Sequence, residues 1–472
     1  MKVRTRYAPS PTGFMHIGNL RTAIFEYLLA RHYDGDFILR IEDTDQNREV
    51  EGAIDFIYNT LELCDFKIDE GPNNPGNYGP YIQSERKDIY KKYALELVEK
   101  GKAYYCFCTE EDIKKDREEC EKHGRAYSYD GKCSRLLKEE IQEKLDNGVP
   151  YVIRQKMPKY GVTLVEDLIY GKIKIDNSLL EDQILLKSDG YPTYNFANVI
   201  DDHLMEITHV VRGKEYLDQS AKYNLLYEAF GWEKPTYIHV AMVLGEDGNK
   251  LSKRNGDASF MDLYDEGYLP CAIVNYLAFL GWSPLSNQEI FTMDELIKEF
   301  NPERISKSSS QYDVMKLRWI NSHYIKKLDR EELYNLTFKH LNEAYDLSDK
   351  TTEWIKDLVC LYQNELKYGK EIVELTKLFF SEYSVDEEAK EFMKSDGVDN
   401  TIKVFYDEVK DIEWTKENIS NAINNTKEKA GVKGKMLYMP IRIKCSGVMH
   451  GPELDMTLYL LGKDTVINNL MK

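Results

Sequence analysis

The amino-acid sequence predicts an α/β protein, with a parallel sheet of the nucleotide-binding type in its first part and a helical C-terminal third. At the N-terminus, a strand-like run, a turn and an amphipathic helix follow one another, and a second strand-like run closes this unit. A further strand-like run at residues 237–244 precedes a loop rich in glycine and lysine. From about Leu328 long alternating runs are lacking, and apolar residues recur at helical spacing, as in Ile372, Leu375 and Phe379.

The N-terminal unit begins with a strand predicted over residues 3–8, which Pro9 and Pro11 end. A helix then follows with Asn19 as its expected N-cap, because apolar side chains recur at helical spacing from this point. Residues 37–41 have strand character and complete a βαβ unit. The N–H groups and the dipole of the helix N-terminus therefore face the end of a strand, and this arrangement favours phosphate binding.

Two residues of the connecting turn suit a phosphate ligand. Gly18 would let a ligand approach the backbone, and His16 can donate a hydrogen bond to a phosphate oxygen. A simpler interpretation is that many strand–turn–helix junctions contain a glycine, a proline and a histidine without any such role.

A second, cationic segment favours the phosphate interpretation. In the loop after residues 237–244, Lys250, Lys253 and Arg254 lie close together. Phosphoryl chemistry needs cations, because charge spreads over the α-phosphate oxygens as the attacking and leaving oxygens pass in line. Lysine-rich loops alone are usually solvated surface. Together with the first segment, however, this loop predicts an enzyme that uses a nucleoside triphosphate.

The two segments resemble the His-Ile-Gly-His and Lys-Met-Ser-Lys-Ser signatures of class I aminoacyl-tRNA synthetases. Three departures from the signatures are often found in the glutamyl branch of that class: Asn19, Leu251 and Arg254. Further segments similar to bacterial glutamyl-tRNA synthetases are residues 40–45, 79–86 and 188–203. The chain therefore resembles that family from its start to about residue 260, and its length and layout agree beyond that point.

The resemblance implies a Rossmann-like catalytic domain with a parallel sheet, an inserted acceptor-binding domain, a helical stem-contact domain and two all-α anticodon-binding domains. The expected boundaries are 1–85 and 186–262 for the two halves of the catalytic domain, 86–185 for the insert, 263–328 for the stem-contact domain, and 329–386 and 387–472 for the anticodon-binding domains. A helical C-terminal region also distinguishes the glutamyl branch from glutaminyl-tRNA synthetases, which carry β-barrels there.

The charges of glutamate, two carboxylates and one ammonium group, indicate what its pocket must contain. Arg6 and Arg212 are candidate partners of the carboxylates, and Glu42 is the candidate acceptor of the ammonium. The positions that match the glutamate-binding residues of the family also include Ala8, Ser10, Tyr194 and Asn198. By this resemblance, Arg6 and Tyr194 would hold the side-chain carboxylate. Each charged residue could instead form a structural ion pair.

The resemblance further implies two reaction steps, with ATP and Mg²⁺ as cofactors. Glutamate attacks the α-phosphorus of ATP, and a terminal ribose hydroxyl of tRNA then attacks the mixed anhydride. His16, Lys250 and Lys253 are the expected catalytic residues, because they would stabilise the charge that develops on the phosphates. Mg²⁺ is expected to be held by phosphates and water. The expected ATP-binding residues are Thr12, His16, Gly18, Asn19, Lys250, Lys253 and Arg254.

Cysteines in the insert leave the presence of a metal open. Some glutamyl-tRNA synthetases bind zinc here through three cysteines and a histidine, and this chain has the cysteines: Cys106, Cys108 and Cys133. Arg135 occupies the position of the histidine and cannot ligate a metal. Cys120 or His123 could substitute in a tetrahedral site. We expect no metal, and free thiols in a small β-rich insert.

Composition limits the class of protein and its partners. The 472 residues suffice for three or more domains, and the eight cysteines are scattered. No signal peptide or membrane-spanning stretch is visible, so a cytoplasmic protein without membrane contact is expected. The net charge of −18 by itself argues mildly against a nucleic-acid partner. The motifs outweigh this argument, and we expect a monomer that binds tRNA(Glu) through basic stripes on one face.

The lack of arginine in most of the C-terminal region bears on which tRNA the protein charges. Of 17 arginines, 16 lie at or before Arg330, and none lies between Glu331 and Ile441. In discriminating members of the family, an arginine of the first anticodon-binding domain reads the last anticodon base, and the corresponding stretch here, roughly residues 361–366, contains none. We therefore hypothesise that tRNA(Gln) is also charged with glutamate. A codon bias towards lysine, or a lysine or glutamine that reads the base, would explain the same absence.

Other classes of protein share parts of this pattern. A small-molecule nucleotidyltransferase has a similar pair of segments but needs neither the C-terminal region nor the glutamate segments. An RNA-binding paralogue without activity would be expected to lose parts of the two segments, yet His16, Lys250 and Lys253 are all present. A shortened relative that glutamylates a modified tRNA base lacks the C-terminal helical region.

Overall fold

The structure is a computed structural model that describes residues 2–13, 15–45, 48, 50–124, 126–245, 247–249, 251 and 259–472. The chain divides into two compact units. The first comprises Met1–Asp262 and Ile273–Asp313, and the second comprises Leu263–Ala272 and Val314–Lys472.

The strands of the described chain lie in the first unit. They are β1 (Arg4–Tyr7), β2 (Asp36–Leu39), β3 (Ala103–Cys106), β4 (Val152–Gln155), β5 (Val162–Asp167), β6 (Gly171–Asp176), β7 (Ile184–Leu186), β8 (His209–Gly213), β9 (Thr236–Val240), β10 (Val243–Leu244) and β11 (Ser310–Gln311). The α/β prediction is confirmed, because β1 is parallel to β2, β8 is parallel to β9, and β9 is parallel to β5. The amide of Thr208 donates to the carbonyl of Arg4, so β8 lies beside β1. The strands β1 and β2 form a two-stranded sheet, and β6-β5-β9-β8 is the order of a four-stranded sheet that lies beside it where this hydrogen bond joins Arg4 and Thr208.

The predicted N-terminal βαβ unit is confirmed, with α1 (Ile17–His32) between β1 and β2. The prediction of its N-cap is wrong. The N-cap is His16 and not Asn19, because the carbonyl of His16 already accepts hydrogen bonds from the amides of Asn19 and Leu20. Eleven residues of α1 are buried, so the helix packs on nearly all sides and its position is fixed relative to the sheet.

Helices make up most of the other regular structure before residue 300. The further helices before residue 300 are α2 (Ala53–Leu63), α3 (Lys87–Glu99), α4 (Glu110–Lys122), α5 (Lys138–Asp146), α6 (Tyr194–Leu204), α7 (Ser220–Phe230), α8 (Phe260–Asp265), α9 (Pro270–Phe279) and α10 (Met293–Glu299). The helices α3, α6 and α7 share an apolar core that includes Tyr90, Phe196 and Tyr223. Since α6 begins at Tyr194 and carries Asp202 near its end, this packing determines where those polar groups lie.

The segment 86–185, which the sequence assigns wholly to an insert, contributes to two sheets. The strands β3, β4 and β7 form an antiparallel sheet of their own. In contrast, β5 pairs in parallel with β9 through Asp167 and Tyr237, so β5 and β6 extend the sheet that contains β8. The partner of a strand depends on long-range contacts, and therefore the sequence of the segment alone did not indicate this pairing.

The second unit confirms the prediction of a helical C-terminal region. Its elements after Asp313 are α11 (Val314–Ile325), α12 (Arg330–Ala344), α13 (Thr352–Tyr362), α14 (Ile372–Leu375), α15 (Glu387–Phe392), α16 (Val398–Val409), α17 (Lys416–Ala430), α18 (Lys435–Ser446), α19 (Leu454–Leu461) and α20 (Lys463–Met471), with short 3-10 turns. Two apolar cores hold them together, one around Leu333 and Leu358 and one around Phe405 and Ile441. Among the described helices of the whole chain, none combines the length and apolar character needed to cross a bilayer.

Candidate active site

A cavity of about 270 Å³ opens at the carboxyl ends of β1, β8 and β9. Arg6 and Tyr7 come from β1, Arg212 from β8 and Val240 from β9, while Gly18 comes from the first turn of α1. Parallel sheets bind ligands outside the carboxyl ends of their strands, at the point where the order of connection reverses. That point lies between β1 and β8, so the cavity occupies the expected ligand position.

The first predicted phosphate-binding segment forms one wall of this cavity. Thr12, His16, Gly18 and Asn19 all line it. His16 is exposed at the N-terminus of α1, and its backbone forms a bridge with Ser259. A Cβ atom at position 18 would lie 3.2 Å from the His16 imidazole, so glycine leaves room for this ring. The N-terminal amides of a helix and an exposed imidazole together suit phosphate oxygens.

The second predicted segment is described only in part. Lys250, Lys253 and Arg254 lie outside the described residues. Leu251 is described, its amide donates to the carbonyl of Val243 at 3.3 Å, and it lines the cavity. The chain that follows β10 therefore reaches the cavity wall.

Next to the cavity, buried charges join β1, α1, β2 and α6. Arg6 donates from Nε to Oδ1 of Asp202 at 3.0 Å and from Nη1 to Oε1 of Glu26 at 2.9 Å. Arg40 donates to the same oxygen of Asp202 at 2.8 Å and to Oε1 of Glu42 at 2.9 Å. All five residues are buried. Buried charges are tolerated when each is paired and hydrogen-bonded, as they are here.

This network determines the protonation of its acids. Burial raises the pKa of Glu26 well above its ordinary value, because Arg6 offsets the loss of solvation only in part. Burial likewise raises the pKa of Glu42, against the opposing effect of Arg40 and Arg6. For Asp202, burial acts to raise the pKa, but the guanidinium groups of Arg6 and Arg40 outweigh it and lower the pKa. Asp202 is therefore the carboxylate that both arginines share.

Six of the seven residues predicted to bind glutamate line the cavity: Arg6, Ala8, Ser10, Glu42, Tyr194 and Arg212. Within the described part of the chain, Asn198 is not a lining residue. It lies one helical turn after Tyr194, and its Nδ2 donates to the Tyr194 carbonyl at 2.9 Å. Asn198 thus contacts the backbone that carries the Tyr194 side chain and does not itself form the cavity wall. Arg6 and Glu42 are cavity-lining residues and also members of ion pairs.

Arg212 differs from these paired charges. It is 6% exposed, and its guanidinium forms no ion pair with a carboxylate among the residues that the structure describes. Its Nε donates to Nε2 of His239 at 3.2 Å, its Nη2 donates to Oγ of Ser220 at 3.4 Å, and its Cζ lies 4.4 Å from the ring centroid of Tyr223. A buried cation without a countercharge is costly. A carboxylate in the cavity would supply the missing negative charge.

Arg21 also lines the cavity and was not predicted. It is 4% exposed, and its Nη1 and Nη2 donate to the carbonyls of Leu280 and Ala241. Because Ala241 directly follows β9, Arg21 ties α1 to the chain that leads to the second predicted segment. Burial lowers the pKa of Arg21 to about 10. The sequence feature that could have identified Arg21 as a buried residue was its position directly after Leu20 in α1, a helix with mostly buried residues.

The three cysteines of the segment 86–185 converge. The sulfur atoms of Cys106, Cys108 and Cys133 lie within 4.8 Å of one another. The hydroxyl of Tyr129 lies 3.2 Å from the sulfur of Cys106 and 3.5 Å from that of Cys108. Hydrogen bonds from Cys133 and Tyr129 lower the pKa of the Cys106 thiol. Burial raises the pKa of Cys108, and the hydrogen bond to Cys106 raises that of Cys133, so the cluster offers one thiolate-like sulfur, two thiols and one hydroxyl in one place.

The alternative fourth ligands named from the sequence take no part in this cluster as far as the chain is described. Nδ1 of His123 donates a hydrogen bond to the carbonyl of Glu119, and Cys120 is not among the grouped thiols. Arg135 forms an ion pair with Asp130. Tyr129 contacts the thiols instead, and no periodic pattern in the sequence indicated this contact.

The sequence matches two protein families that together span nearly all of it. Residues 2–319 match the family described as tRNA synthetases class I (E and Q), catalytic domain. Residues 332–472 match the family described as anticodon binding domain.

Curated relatives and solved structures agree with these matches. The chain is 50% identical to a glutamate–tRNA ligase of Clostridium novyi, over 96% of this chain and 93% of the relative. It is 49% identical to one of Clostridium botulinum strain Eklund 17B, over 100% of this chain and 98% of the relative. A crystal structure of a glutamate tRNA ligase from Elizabethkingia meningosepticum, in complex with its amino acid, matches with a TM-score of 0.90 at 36% identity, covering 100% and 99% of the two chains. The glutamate-tRNA synthetase of Elizabethkingia anophelis matches with a TM-score of 0.91, also at 36% identity and with the same coverage.

Proposed function

The chain belongs to the bacterial glutamate–tRNA ligases, which are class I aminoacyl-tRNA synthetases, and from this premise we propose how its cavity acts. It joins L-glutamate to the 3′-terminal ribose of tRNA(Glu) in two steps that use ATP. One observation carries the proposal: the buried guanidinium of Arg212, without a carboxylate partner among the described residues, lines the same cavity as His16 at a helix N-terminus. An acidic amino acid and a triphosphate need these two kinds of group side by side.

In the first step, an α-carboxylate oxygen of glutamate attacks the α-phosphorus of ATP. A carboxyl–phosphate bond forms, the bond to the β-phosphate breaks, and pyrophosphate leaves. The His16 imidazole and the N-terminal amides of α1 donate hydrogen bonds to phosphate oxygens, and Lys250 and Lys253 add positive charge. Mg²⁺ held by the phosphates would neutralise further charge. The residues proposed to bind ATP are Thr12, His16, Gly18, Asn19, Lys250, Lys253 and Arg254.

The charged groups of the cavity select glutamate. Arg6 and Arg212 bind its carboxylates, and Glu42 accepts hydrogen bonds from its ammonium group. Tyr194 adds a polar contact together with Ala8 and Ser10, while Asn198 acts through the Tyr194 backbone. Glutamine is rejected because its amide NH₂ would place a donor against the guanidinium donors, which leaves a buried charge unpaired.

In the second step, the 2′-hydroxyl of the terminal ribose attacks the carbonyl carbon of the anhydride. The carboxyl–phosphate bond breaks, AMP leaves, the hydroxyl proton is released, and no bond to the enzyme is formed. The match of residues 332–472 to an anticodon-binding family supports tRNA as the partner.

We extend the proposal to tRNA(Gln) as a second tRNA substrate. Of the residues that could replace the absent arginine, Gln363 donates from Nε2 to the carbonyls of Ile325 and Leu328, both at 2.9 Å. Arg442, which follows the arginine-free stretch, is buried and donates to the carbonyl of Pro452. Both side chains are thus engaged within the protein, which supports a weak discrimination between the two tRNAs.

The thiol cluster supports a separate, structural metal site. Zn²⁺ prefers a closed tetrahedral set of cysteine and related ligands when its role is structural. We propose that Cys106, Cys108, Cys133 and the hydroxyl of Tyr129 would hold such an ion. It would join β3 to the chain segment around Cys133 and take no part in the reaction.

Aminoacylation tests the main proposal. The purified enzyme is given glutamate or glutamine, each with purified tRNA(Glu) or tRNA(Gln), and the charged tRNA is measured. Glutamate on both tRNAs and glutamine on neither is the expected result. Charging of tRNA(Glu) alone would reject the extension to tRNA(Gln), and charging with glutamine would reject the selection argument. ATP–pyrophosphate exchange with and without tRNA, measured in parallel, reports the first step by itself.

A further inference from the structure

His239 lies between Arg212 and a buried carboxylate. It is 0% exposed near the end of β9, and its Nδ1 lies 2.7 Å from Oδ2 of Asp167, at the end of β5. The opposite ring nitrogen, Nε2, lies 3.2 Å from Nε of Arg212. The three side chains thus form a continuous line, Asp167 to His239 to Arg212, that crosses three neighbouring strands.

The chemistry of the groups fixes the direction of these hydrogen bonds. An arginine nitrogen can only donate, so Nε2 of His239 must accept from Arg212. The proton of the neutral imidazole is then on Nδ1 and is donated to Asp167. A protonated His239 would turn a second donor, and a second positive charge, towards the guanidinium. Burial lowers the pKa of His239 and so favours the neutral ring.

Asp167 is itself held in place. Its Oδ1 accepts hydrogen bonds from the amides of Ile169 at 2.9 Å and Tyr170 at 2.7 Å, and its Oδ2 also accepts from the amide of His239 at 3.0 Å. A carboxylate with this many fixed donors cannot turn away from the imidazole. The backbone amides that hold Asp167 in place therefore also determine the tautomer of His239.

His239 orients the guanidinium of Arg212. Nε of Arg212 donates to His239, and Nη2 has only a long contact of 3.4 Å to Ser220. Within the described chain, no carboxylate forms an ion pair with the Arg212 guanidinium. With Nε held inside the protein, the terminal nitrogens are the ones left for a ligand carboxylate. Neutral aromatic rings, including Tyr223 at 4.4 Å, cover the guanidinium without cancelling its charge.

We propose that His239, with its tautomer fixed by Asp167, is a positioning residue that aims Arg212 at a carboxylate of glutamate. This inference rests on the proposed function, because it assumes that Arg212 binds substrate. His239 touches no substrate itself and acts through the arginine. Because β5, from the segment 86–185, pairs with β9, Asp167 lies beside His239.

Steady-state aminoacylation with the full-length enzyme tests the inference. His239→Phe keeps a ring but removes the acceptor, so the KM for glutamate should rise about tenfold or more while the KM for ATP stays the same. His239→Gln restores an acceptor oxygen and should return the KM for glutamate towards the wild-type value. His209→Phe is the matched control, because His209 lies on β8 beside Thr208 and does not line the cavity. Its KM values should not change.

A double variant separates positioning from a general structural role. If His239 acts through Arg212, adding His239→Phe to Arg212→Ala should raise the KM for glutamate no further. Additive increases, or equal increases in the KM values for glutamate and ATP, would overturn the inference. Asp167→Asn, which no longer fixes the tautomer, should resemble His239→Phe, and it provides the same test should that variant fail to fold, as judged from its thermal unfolding midpoint.

The two proposals can fail separately. An unchanged KM for glutamate in Arg212→Ala would show that Arg212 does not bind substrate, and both the role of Arg212 and the inference would then be wrong. A raised KM in Arg212→Ala with an unchanged KM in folded His239→Phe would remove the inference alone.

Discussion

Nε of Arg6 donates to Oδ1 of Asp202 at 3.0 Å, although the two residues are 196 positions apart in the sequence. The same oxygen accepts a hydrogen bond from Arg40 at 2.8 Å, and Glu26 holds Nη1 of Arg6 at 2.9 Å. For Nη2 of Arg6, no hydrogen bond is formed within the described part of the chain, and Arg6 lines the cavity. The acids thus hold Nε and Nη1 of Arg6, and Nη2 is left for a ligand.

Replacing Asp202 with asparagine should destabilise the protein by about 3–5 kcal/mol, because Arg6 and Arg40 would lose their shared countercharge. Urea unfolding measures this difference. Asp189→Asn is the control, since the ion pair of Asp189 with Lys187 is largely exposed and should contribute less than about 0.5 kcal/mol. Similar losses in both variants would argue against the importance of the buried network.

Arg6→Lys keeps the positive charge but removes the planar fork. We expect the KM for glutamate to rise about tenfold or more, with a much smaller change in the KM for ATP, because the single ammonium of lysine cannot keep the bonds to Asp202 and Glu26 and also donate to a ligand carboxylate, as the guanidinium can. The measurement is aminoacylation with each substrate varied in turn. Equal changes for the two substrates would mean that Arg6 serves the ion-pair network and not the substrate.

His16→Ala should lower kcat about 100-fold to 1000-fold, because a donor to the developing phosphate charge is lost. Its thermal unfolding midpoint should stay close to that of the wild type, since His16 is exposed. His16→Asn retains an N–H donor and should lose less activity. A His16→Ala variant with the kcat of the wild type would contradict the proposed role of His16.

The thiol cluster predicts a bound metal. Protein purified without chelator or affinity metal should contain about one zinc ion per chain by elemental analysis. Cys133→Ser should lose the metal and unfold at a lower temperature, whereas Cys120→Ser should retain it, because Cys120 is not among the converging sulfur atoms. Absence of metal from the wild-type protein would return the cluster to free thiols, the expectation from sequence.

The buried His239 predicts a pH effect on stability. Burial lowers its pKa below the ordinary value of 6.5, so between these two values the unfolded chain binds a proton that the folded chain does not. The stabilisation by neutral His239 is therefore complete above pH 6.5 and is lost as the pH falls through this window. Relative to His239→Gln, the wild type should be less stable at about pH 5.5 than at about pH 7.5 in urea unfolding. An identical difference at both pH values would contradict the assignment of a neutral, buried imidazole.

Much of the fold could be predicted because its signals are local. The βαβ unit, the helical C-terminal region and the cavity-lining positions His16 and Gly18 follow from short patterns of strand, turn and helix residues, and Thr12 follows from the family resemblance. The error in the N-cap of α1 has a local cause as well. The sequence offered Asn19 as a good capping residue, but the backbone of His16 starts the helix without a side-chain cap.

What could not be predicted depends on partners far apart in the sequence. Arg21 reaches the carbonyls of Ala241 and Leu280, and Asp167 reaches His239 only because β5 pairs with β9. The residue pattern of one segment does not indicate which distant segment it will contact. Such contacts become visible only when the chain is folded.

By itself, the sequence determined the class of fold, the family and the residue types available for phosphate and carboxylate binding, since these are set by motifs and spacing along the chain. Which charges are already paired inside the protein, and which remain for a ligand, became known from the folded chain. Arg6 and Arg212 were equivalent candidates in the sequence, yet the first shares buried acids and the second has none among the described residues. The physical reason is that a buried charge is governed by its neighbours in space, and the burial and partners of a side chain are properties of the folded chain.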